Sequence, residues 1–314
     1  MSKIATRTAY GQTLAKLGEE NRDIVVLDAD LSKSTKTANF AKAFPDRFIN
    51  AGIAEANMMG MAAGLATCGK VPFVSTFAVF ATGRAFDQIR NSIAYPKLNV
   101  KIAATHAGIT VGEDGGSHQS IEDISLMRTL PNMTVIVPAD AVETGAAVEW
   151  AAKHSGPVYI RLGRLDIPVI LPAEYKFQPG KAVILREGWD AAVFACGMMV
   201  GVALEAAEQL ATEGLQVAVV NVPTLKPFDV DTVIEVAKQA GAVVTAEEHS
   251  IIGGLGSAVA EALAENLPTP LERVGIKDTF GESGTPAALL DKFGLNREGL
   301  SAAIRKVYRR KSNK

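Results

Sequence analysis

The alternation of short apolar strands with helical stretches constrains the fold of this chain more than any other feature of its sequence. Runs such as 24–27, 71–76 and 217–222 are rich in β-branched residues and are apolar at consecutive positions. Both faces of such strands are expected to be buried, as in parallel sheets that helices cover on both sides. The pattern therefore predicts an α/β fold made of two doubly wound α/β domains.

The predicted elements form two groups. In the first half, strands are predicted at 24–27, 48–50, 71–76, 100–104, 135–137 and 158–160, and helices at 55–68, 84–94 and 144–153. In the second half, strands are predicted at 191–195, 217–222, 242–246 and 271–276, and helices at 200–213, 230–240, 257–266 and 297–308. Between the halves, Pro168, Pro172 and Pro179-Gly180 lie in a segment without helical period. Because 314 residues suit two domains, we expect domains at 1–172 and 185–314 and a linker at 173–184.

Charge and composition argue against several classes of function. The 32 lysines and arginines and 34 aspartates and glutamates leave a net charge of −2, with no basic excess to bind a nucleic-acid backbone. The first residues contain no apolar signal-peptide core, and the longest uncharged runs are too short to span a membrane. Two cysteines cannot form a disulfide framework. We expect a cytoplasmic protein that binds neither nucleic acid nor membranes.

The segment 105–119 is the richest candidate for chemistry. It contains His106, His118, the adjacent carboxylates Glu113 and Asp114, and four glycines. Glycines permit a close backbone approach to a ligand, and histidines titrate near neutral pH. A polar surface loop would account for the same residues. A metal site is less favoured because the histidines do not have an established ligand spacing, and no metal ligands are predicted in this chain.

Glu55 is the second candidate, because it is the only charged residue between Arg47 and Lys70. A buried carboxylate has a raised pKa, which suits it to share a proton with a nitrogen heterocycle. The alternative is a glutamate in a first helical turn, stabilised there by the helix dipole. Nearby aromatic residues, among them Phe77 and Phe80, are on their own more typical of a core than of a ligand site.

Several of these segments together resemble the C-terminal two-thirds of transketolase, and the similarity extends over nearly the whole chain. Its most specific part is the loop Thr105-His106 … Val111-Gly112-Glu113-Asp114-Gly115 … His118-Gln119. Further matches, in the right order, are Ala5-Thr6-Arg7, Ala29-Asp30-Leu31 … Ser34, Ser75-Thr76-Phe77 and Arg164 before Asp166-Ile167-Pro168. The resemblance identifies 1–172 as a pyrimidine-binding domain and 185–314 as a transketolase C-terminal domain.

The resemblance also implies a cofactor and a partner. Transketolases bind thiamine diphosphate between two domains, and a Gly-Asp-Gly … Asn motif of an N-terminal domain holds the diphosphate and Mg²⁺. This sequence contains no Gly-Asp-Gly. The implied protein is one subunit of a split transketolase, which needs a separate N-terminal subunit carrying that motif and associates with it as a heterotetramer.

By the same resemblance, four residues meet the cofactor. Glu55 hydrogen-bonds the aminopyrimidine ring and is catalytic, Phe77 and Phe80 form the apolar pocket around that ring, and Asp30 lies close to the cofactor. Basic residues usually flank the glutamate in single-chain transketolases, where this chain has Ala54 and Ala56. The sequence therefore lacks those basic neighbours.

The resemblance assigns the remaining site residues to the substrate. His106 and His118 hold oxygens near the reacting carbon and are catalytic, and Asp114 binds a sugar hydroxyl. Arg7, Ser34 and Arg164, with help from His106, bind the sugar phosphate, because guanidinium groups suit bidentate phosphate contacts. The implied reaction moves a two-carbon ketol unit from a ketose phosphate, such as xylulose 5-phosphate, to an aldose phosphate, such as ribose 5-phosphate, in the pentose phosphate pathway.

Four other interpretations stay open at the level of sequence. The beta subunit of a 2-oxo acid dehydrogenase decarboxylating component has the same layout but would not be expected to keep the sugar-phosphate residues. A deoxyxylulose-phosphate-synthase-like enzyme is ordinarily one longer chain. A split transketolase for an unusual sugar phosphate is also compatible with the sequence. A non-catalytic scaffold would have no reason to retain this set of polar residues.

Overall fold

The computed structural model describes residues 2–312. The described chain forms a seven-stranded sheet, a five-stranded sheet and a two-stranded pair. Most pairings in the two large sheets are parallel, and helices pack on both faces of each sheet. The predicted fold class is therefore confirmed.

The strands and helices have the following bounds. The strands are β1 (Lys3–Ile4), β2 (Ile24–Asp28), β3 (Phe48–Asn50), β4 (Val71–Ser75), β5 (Lys101–Ala104), β6 (Thr134–Ile136), β7 (Val158–Arg161), β8 (Ile167–Pro168), β9 (Val183–Arg186), β10 (Ala191–Ala195), β11 (Val217–Asn221), β12 (Thr224–Lys226), β13 (Val243–Ser250) and β14 (Leu271–Ile276). The α-helices are α1 (Thr6–Glu20), α2 (Ser32–Thr35), α3 (Ala38–Ala43), α4 (Glu55–Thr67), α5 (Phe86–Gln88), α6 (Asp123–Thr129), α7 (Ala141–Lys153), α8 (Met199–Ala211), α9 (Val230–Ala240), α10 (Leu255–Asn266), α11 (Pro286–Lys292) and α12 (Arg297–Ser312). Short 3₁₀ turns lie at Pro45–Arg47 and Ile109–Val111, and π-helical segments lie at Phe80–Arg84 and Ile89–Ala94.

The seven-stranded sheet has the order β12-β6-β7-β5-β4-β2-β3. All of its neighbouring strands pair in parallel except β12, which runs antiparallel to β6. The carboxyl ends of the parallel strands therefore lie along one edge, where open α/β sheets bind their ligands. We call the ends of β2, β3, β4, β5 and β7, with the loops that follow them, the first carboxyl edge.

Helices α1, α3 and α7 cover one face of this sheet, and α4, α6 and the helical region 80–94 cover the other. Helix α1 buries Tyr10 and Leu14 completely against Phe40 and Phe73. Its glycines matter for this packing, because a β-carbon on Gly18 would lie 2.6 Å from the Phe40 ring. Tertiary packing therefore stabilises a helix whose two glycines give it a low intrinsic propensity.

The five-stranded sheet has the order β14-β13-β10-β11-β9, and only β9 is antiparallel. Helices α8 and α12 cover one face, and α9 and α10 cover the other. The core under α9 and α10 continues into the core under α4 and α6 of the first half. The two halves are therefore joined by one buried apolar cluster.

Several short elements were not predicted, among them α3, α6, α11, β1 and β8, and four further departures concern the sheets and the site. Helix α1 was not predicted, and strand β12 comes from the second half but completes the sheet of the first. The helix predicted at 84–94 begins earlier and is largely π-helical. Strand β9 begins at Val183, inside the predicted linker 173–184. The domain boundary itself stays a prediction.

Candidate functional site

The predicted site residues lie mainly at the first carboxyl edge. Asp30 follows β2, Phe77 follows β4, His106 follows β5, and Arg164 follows β7. Arg7 reaches the same edge from the first turn of α1. Because the strands are parallel, their order in the sheet brings these separate parts of the sequence together.

His106 is the central residue of this group. Its backbone is left-handed, with φ of 56°, a conformation that costs energy for a residue other than glycine. Its ring stacks on Phe77 with centroids 3.8 Å apart, and Arg7 Nη1 lies 3.2 Å from its Nε2. Since a guanidinium only donates, Nε2 is the acceptor. The remaining ring hydrogen is then on Nδ1 and points to Thr105 Oγ1 at 2.8 Å.

The electrostatic surroundings keep this imidazole neutral. Burial lowers the pKa of His106 to about 3, and the positive charges of Arg7, Arg164 and Lys36 act in the same direction. The ring therefore carries no charge at neutral pH. Its Nε2 can accept a hydrogen bond, but the ring adds no further cation to Arg7, Arg164 and Lys36.

Three further rings extend from His106 along the edge. Phe77 and Phe80 are stacked with centroids 5.8 Å apart, and His118 meets the Phe80 ring edge-on at 5.4 Å. Ser117 Oγ lies 2.9 Å from His118 Nδ1. The structure thus gathers both predicted histidines and both predicted aromatic residues in one cluster, with His118 half-buried.

Glu55 is the first residue of α4, and its side chain is almost fully buried. Both carboxylate oxygens accept hydrogen bonds from Arg84 Nη1, at 3.0 and 2.9 Å. The half-exposed Arg84 guanidinium also lies over the Phe80 ring, 4.5 Å from its centroid. Glu55 is therefore connected to the aromatic cluster through Arg84.

Arg84 is a residue that the sequence interpretation missed. It supplies the basic neighbour that Ala54 and Ala56 do not, and it does so from the π-helical segment Phe80–Arg84. A signal was present in the sequence. Arg84 is the only charged residue between Lys70 and Asp87, just as Glu55 is the only charged residue between Arg47 and Lys70.

Basic residues line the side of the cluster next to α1. Arg7 Nη1 donates to the Ser34 carbonyl oxygen at 2.9 Å, which places the predicted residues Arg7 and Ser34 side by side. Lys36, which the sequence interpretation also missed, follows Ser34 with left-handed backbone and packs its β-carbon over Gly11 of α1. Burial and the neighbouring Arg164 lower the pKa of Arg7.

Arg164 and Asp114 lie together at the outer rim. Arg164 Nη1 donates to the Val111 carbonyl oxygen at 2.6 Å and lies 3.5 Å from Asp114 Oδ2. Both side chains are accessible to solvent. The contact with Val111 connects the end of β7 to the loop that carries both histidines.

Asp30 is at the same edge but is held to a different neighbour. It has left-handed backbone with φ of 63°. Its Oδ1 accepts a hydrogen bond from Asn50 Nδ2 at 3.0 Å, and its backbone N–H donates to Asn50 Oδ1 at 3.1 Å. The structure therefore places Asp30 beside the end of β3, in a reciprocal pair with Asn50, and not in the aromatic cluster.

Two searches of residues 2–312 bear on other classes of function. Within that range, no group of three or more histidine, cysteine, aspartate or glutamate side chains is arranged to hold a metal ion. No helix in the same range is both long enough and apolar enough to cross a membrane.

Comparisons with known proteins identify the family. The family model of the transketolase pyrimidine-binding domain matches residues 2–169, and that of the transketolase C-terminal domain matches residues 180–300. The chain belongs to the transketolase family and corresponds to these two domains of it. The resemblance recognised in the sequence is confirmed, but the chain spans about half of a single-chain transketolase and not two-thirds, because it covers 49% of the transketolase of Homo sapiens.

Individual relatives cover nearly the whole chain. The "Putative transketolase C-terminal section" of Methanocaldococcus jannaschii is 52% identical over 95% of this chain and 94% of the relative. The 6-deoxy-6-sulfo-D-fructose transketolase subunit SqwH of Clostridium sp. is 47% identical over 98% and 95% of the two chains. A solved structure described as "Split gene transketolase, inactive beta4 tetramer" is 60% identical, has a TM-score of 0.92 and covers 98% of this chain and 99% of that one.

Proposed function

We propose that this chain is the C-terminal subunit of a thiamine diphosphate-dependent split transketolase. It transfers a two-carbon ketol unit from a ketose phosphate such as xylulose 5-phosphate to an aldose phosphate such as ribose 5-phosphate, in the pentose phosphate pathway. The observation that carries the proposal is the juxtaposition of buried Glu55 with the Phe77–Phe80–His106–His118 cluster and a basic rim at one sheet edge. Its pyrimidine-binding domain is 1–172, its linker 173–184 and its C-terminal domain 185–314.

The residues present fit the pyrimidine end of the cofactor. A buried carboxylate suits a ring nitrogen that exchanges a proton, and the stacked aromatic rings suit a flat heterocycle. When bound, thiamine diphosphate supplies the carbon nucleophile that takes up the ketol unit. Glu55 hydrogen-bonds the aminopyrimidine, Phe77 and Phe80 exclude water from it, and Asp30 lies near it. Arg84 takes up one acceptor site on each Glu55 oxygen, so a second site on each oxygen is left for the aminopyrimidine.

His106, His118 and Asp114 bind the sugar near the reacting carbon. Neutral His106 accepts a hydrogen bond from a sugar hydroxyl at Nε2, in place of the one from Arg7, without adding charge, and half-buried His118 faces the same aromatic wall. Asp114 is exposed at the rim, where a carboxylate accepts a hydrogen bond from a sugar hydroxyl. Polar groups placed in this way reject a sugar that leaves them unpaired more strongly than an apolar contact would.

Arg7, Ser34 and Arg164 bind the substrate phosphate, with His106 beside them. The Arg7 Nε–H is buried and has no hydrogen-bond partner among the described residues, so it is a donor open to a ligand oxygen. Arg164 is partly exposed and uses one nitrogen on Val111 and Asp114. Two guanidinium groups in this arrangement suit a dianionic phosphate.

A separate N-terminal transketolase subunit with a Gly-Asp-Gly … Asn motif holds the diphosphate and Mg²⁺, and two copies of each chain form a heterotetramer. The exposed outer face of α4 is an argument for an interface with this partner. Ile53, just before α4, is 77% exposed, and apart from the neighbouring backbone of α4 itself no described atom lies within 4 Å of where a β-carbon on Gly60 or Gly64 would be. After Glu55, α4 carries no charged residue, and a helix face with open glycines is suited to close packing by another chain. The proposed location is the cytoplasm, in keeping with two unpaired cysteines.

A donor–acceptor assay tests this function. Xylulose 5-phosphate, ribose 5-phosphate, thiamine diphosphate and Mg²⁺ are supplied to this chain alone, to a candidate N-terminal subunit alone and to their mixture, with a Glu55→Gln mixture as control. We expect ketol transfer only in the wild-type mixture. Transfer by this chain alone would overturn the need for a partner. A mixture that decarboxylates 2-oxo acids and ignores sugars would overturn the transketolase assignment.

A second candidate is the same reaction on an unusual sugar. The 47% identical Clostridium relative is named for 6-deoxy-6-sulfo-D-fructose, and Lys36 adds a third cation near His106 for an anionic group. The test adds that sulfosugar to the donors above, in the same mixture. A kcat/KM for the sulfosugar at least ten-fold above that for xylulose 5-phosphate would favour this candidate, and the reverse order would favour the first.

A further inference from the structure

The loop at 105–120, which carries His106, Asp114 and His118, is packed against the C-terminal half of the chain. We call it the histidine loop. On its inner side, a β-carbon on Gly108 would collide with the Glu248 carboxyl group. Further along, a β-carbon on Gly115 would lie 2.5 Å from Ser283 Oγ. The loop therefore takes its shape from two separate segments of the second half.

Glu248 makes the most direct contact. It is buried near the end of β13. Its Oε1 accepts a hydrogen bond from the backbone N–H of Thr110, at 2.7 Å. Burial raises the pKa of Glu248, so an unpaired carboxylate would be costly at this position. Arg161 fixes the backbone of the same residue, because its Nη2 donates to the Glu248 carbonyl oxygen at 2.9 Å.

Gln119 holds the other end of the histidine loop. Its Nε2 donates within the loop to the carbonyl oxygens of Ile109 and Gly112, each at 3.2 Å, and across the seam to that of Glu282 at 2.9 Å. The absence of a β-carbon on Gly281 leaves room for the Gln119 side chain. Glu248 and Gln119 thus fasten the stretch between the two histidines at both ends.

We propose that Glu248 is a positioning residue for the transferase reaction, which it serves by fixing the histidine loop from the C-terminal half of the chain. The inference rests on the proposed function, since it concerns the geometry of His106 and His118. Glu248 touches neither histidine. It acts through Thr110, which lies between them in the sequence, so its loss would shift the histidines without removing either side chain.

The neighbouring residue on the same strand provides a matched control. Glu247 is equally buried, but its two oxygens accept the backbone N–H groups of Leu255 and Gly256, both at 2.7 Å, at the start of α10. The two glutamates are therefore alike in burial and chemistry and differ in what they hold. Glu247 holds the start of α10 in the second half, and Glu248 holds the histidine loop.

Kinetics of the wild-type and variant complexes with the N-terminal subunit give the first test. We expect Glu248→Ala to lower kcat by about ten-fold or more, with a smaller change in the KM for the donor sugar. Glu248→Gln keeps a carbonyl oxygen for the Thr110 N–H and should recover kcat to within about three-fold of wild type. Glu247→Ala should lower the Tm while its kcat stays within about three-fold. Equal losses of kcat in the two alanine variants, or an unchanged kcat in Glu248→Ala, would overturn the proposal.

Amide hydrogen exchange on this chain alone gives a second test that does not depend on activity. We expect Glu248→Ala to speed exchange across 108–119 by ten-fold or more, and Glu247→Ala to speed it at 255–256 instead. If the wild-type mixture transfers no ketol unit but this exchange pattern appears, the proposed function fails and the anchoring of the loop stands. If the mixture is active and exchange at 108–119 is the same in wild type and Glu248→Ala, the positioning role is overturned.

Discussion

The two large sheets are both mostly parallel, yet one carboxyl edge is partly exposed and the other is buried. At the first carboxyl edge, Phe80, Arg84 and Arg164 remain partly open to solvent. At the corresponding edge of the five-stranded sheet, Glu247 and His249 at the end of β13 are completely buried. Both edges collect polar residues, as parallel topology predicts. Only the first leaves them available to a ligand.

At the second edge, Glu247, His249 and the amide nitrogen of Asn221 form hydrogen bonds within the protein. Burial lowers the pKa of His249 to about 4, and the ring Nδ1 lies 2.7 Å from the Ser250 carbonyl oxygen. Asn221, at the end of β11, donates to both carboxylate oxygens of Glu143 in the first half. The comparison shows that when another part of the chain covers a carboxyl edge, its polar groups hold the protein together instead of binding a ligand. The predictions below test that distinction.

The largest effect is expected for Glu55→Gln. An amide cannot exchange a proton as a carboxyl group does, so turnover of the complex should fall by about 10²–10⁴-fold while the fold is retained. Steady-state kinetics and circular dichroism measure the two outcomes. Glu247→Gln, a change of the same kind at the covered edge, is the control and should keep turnover within a few-fold. A Glu55→Gln variant as active as that control would show that Glu55 is not the catalytic carboxylate.

The next effect concerns Glu143 of the first half, whose carboxylate accepts hydrogen bonds from Asn221 at the buried carboxyl edge of the five-stranded sheet. Burial raises the pKa of Glu143 to about 7, so the folded chain binds this proton more tightly than the unfolded chain does. The proton on Glu143 contributes on the order of 3 kcal/mol to the free energy of unfolding. This contribution is complete below pH about 4.5 and is lost as the pH rises through about 7.

Urea unfolding of wild type and Glu143→Gln between pH 4.5 and 8 measures this contribution. The free energy of unfolding of wild type should fall further over that range than that of the variant. Glu247, whose pKa burial also raises to about 7, contributes a fall of the same sign in both proteins. Parallel pH curves for the two proteins would contradict the assignment.

Arg164→Ala should act on phosphorylated substrates in particular. Losing a charge-assisted contact costs about 1.5–3 kcal/mol, so the KM for xylulose 5-phosphate should rise about 10–100-fold. Hydroxypyruvate carries no phosphate and is the internal control, with a KM that stays within a few-fold. An equal rise for both donors would remove Arg164 from the phosphate site.

The smallest effect is expected for Arg84→Met. This change removes the ion pair with Glu55 and keeps an apolar side chain to lie over Phe80. Because Arg84 is half exposed, the loss of stability should be about 1 kcal/mol, measured as a fall in Tm of the chain alone. Arg90→Met, at an exposed position on the same helical region, is the control. Identical Tm values for the two variants would mean that the pair with Glu55 adds no stability.

Much of the fold was predictable because local signals and packing agree. The strand predicted at 191–195 coincides with β10 (Ala191–Ala195), and the helix predicted at 230–240 coincides with α9 (Val230–Ala240), where Asp229 caps the helix and Gly241 ends it. Helix α1 was missed because Gly11 and Gly18 weaken its local signal, while the reason for them lies in Lys36 and Phe40, elsewhere in the fold.

The site was predictable as a set of residues but not as an arrangement. Sequence motifs singled out His106, His118 and Glu55, and the sheet brings them to one edge. Arg84 could not be placed, because a π-helical turn does not follow the helical period of 3.6 residues. Nor could the anchoring by Glu248, since a contact between residues 138 positions apart depends on how the two halves dock.

Strand β12 has a consequence for the biosynthesis of the chain. It lies beyond β11, yet its antiparallel pairing with β6 completes the edge of the first sheet. While the protein is being translated, β6 therefore presents an unpaired strand edge until residue 226 has left the ribosome. Such edges template association between nascent chains. A fragment ending at residue 172 would lack β12 and keep that edge unpaired, so the second half is needed to complete the sheet of the first.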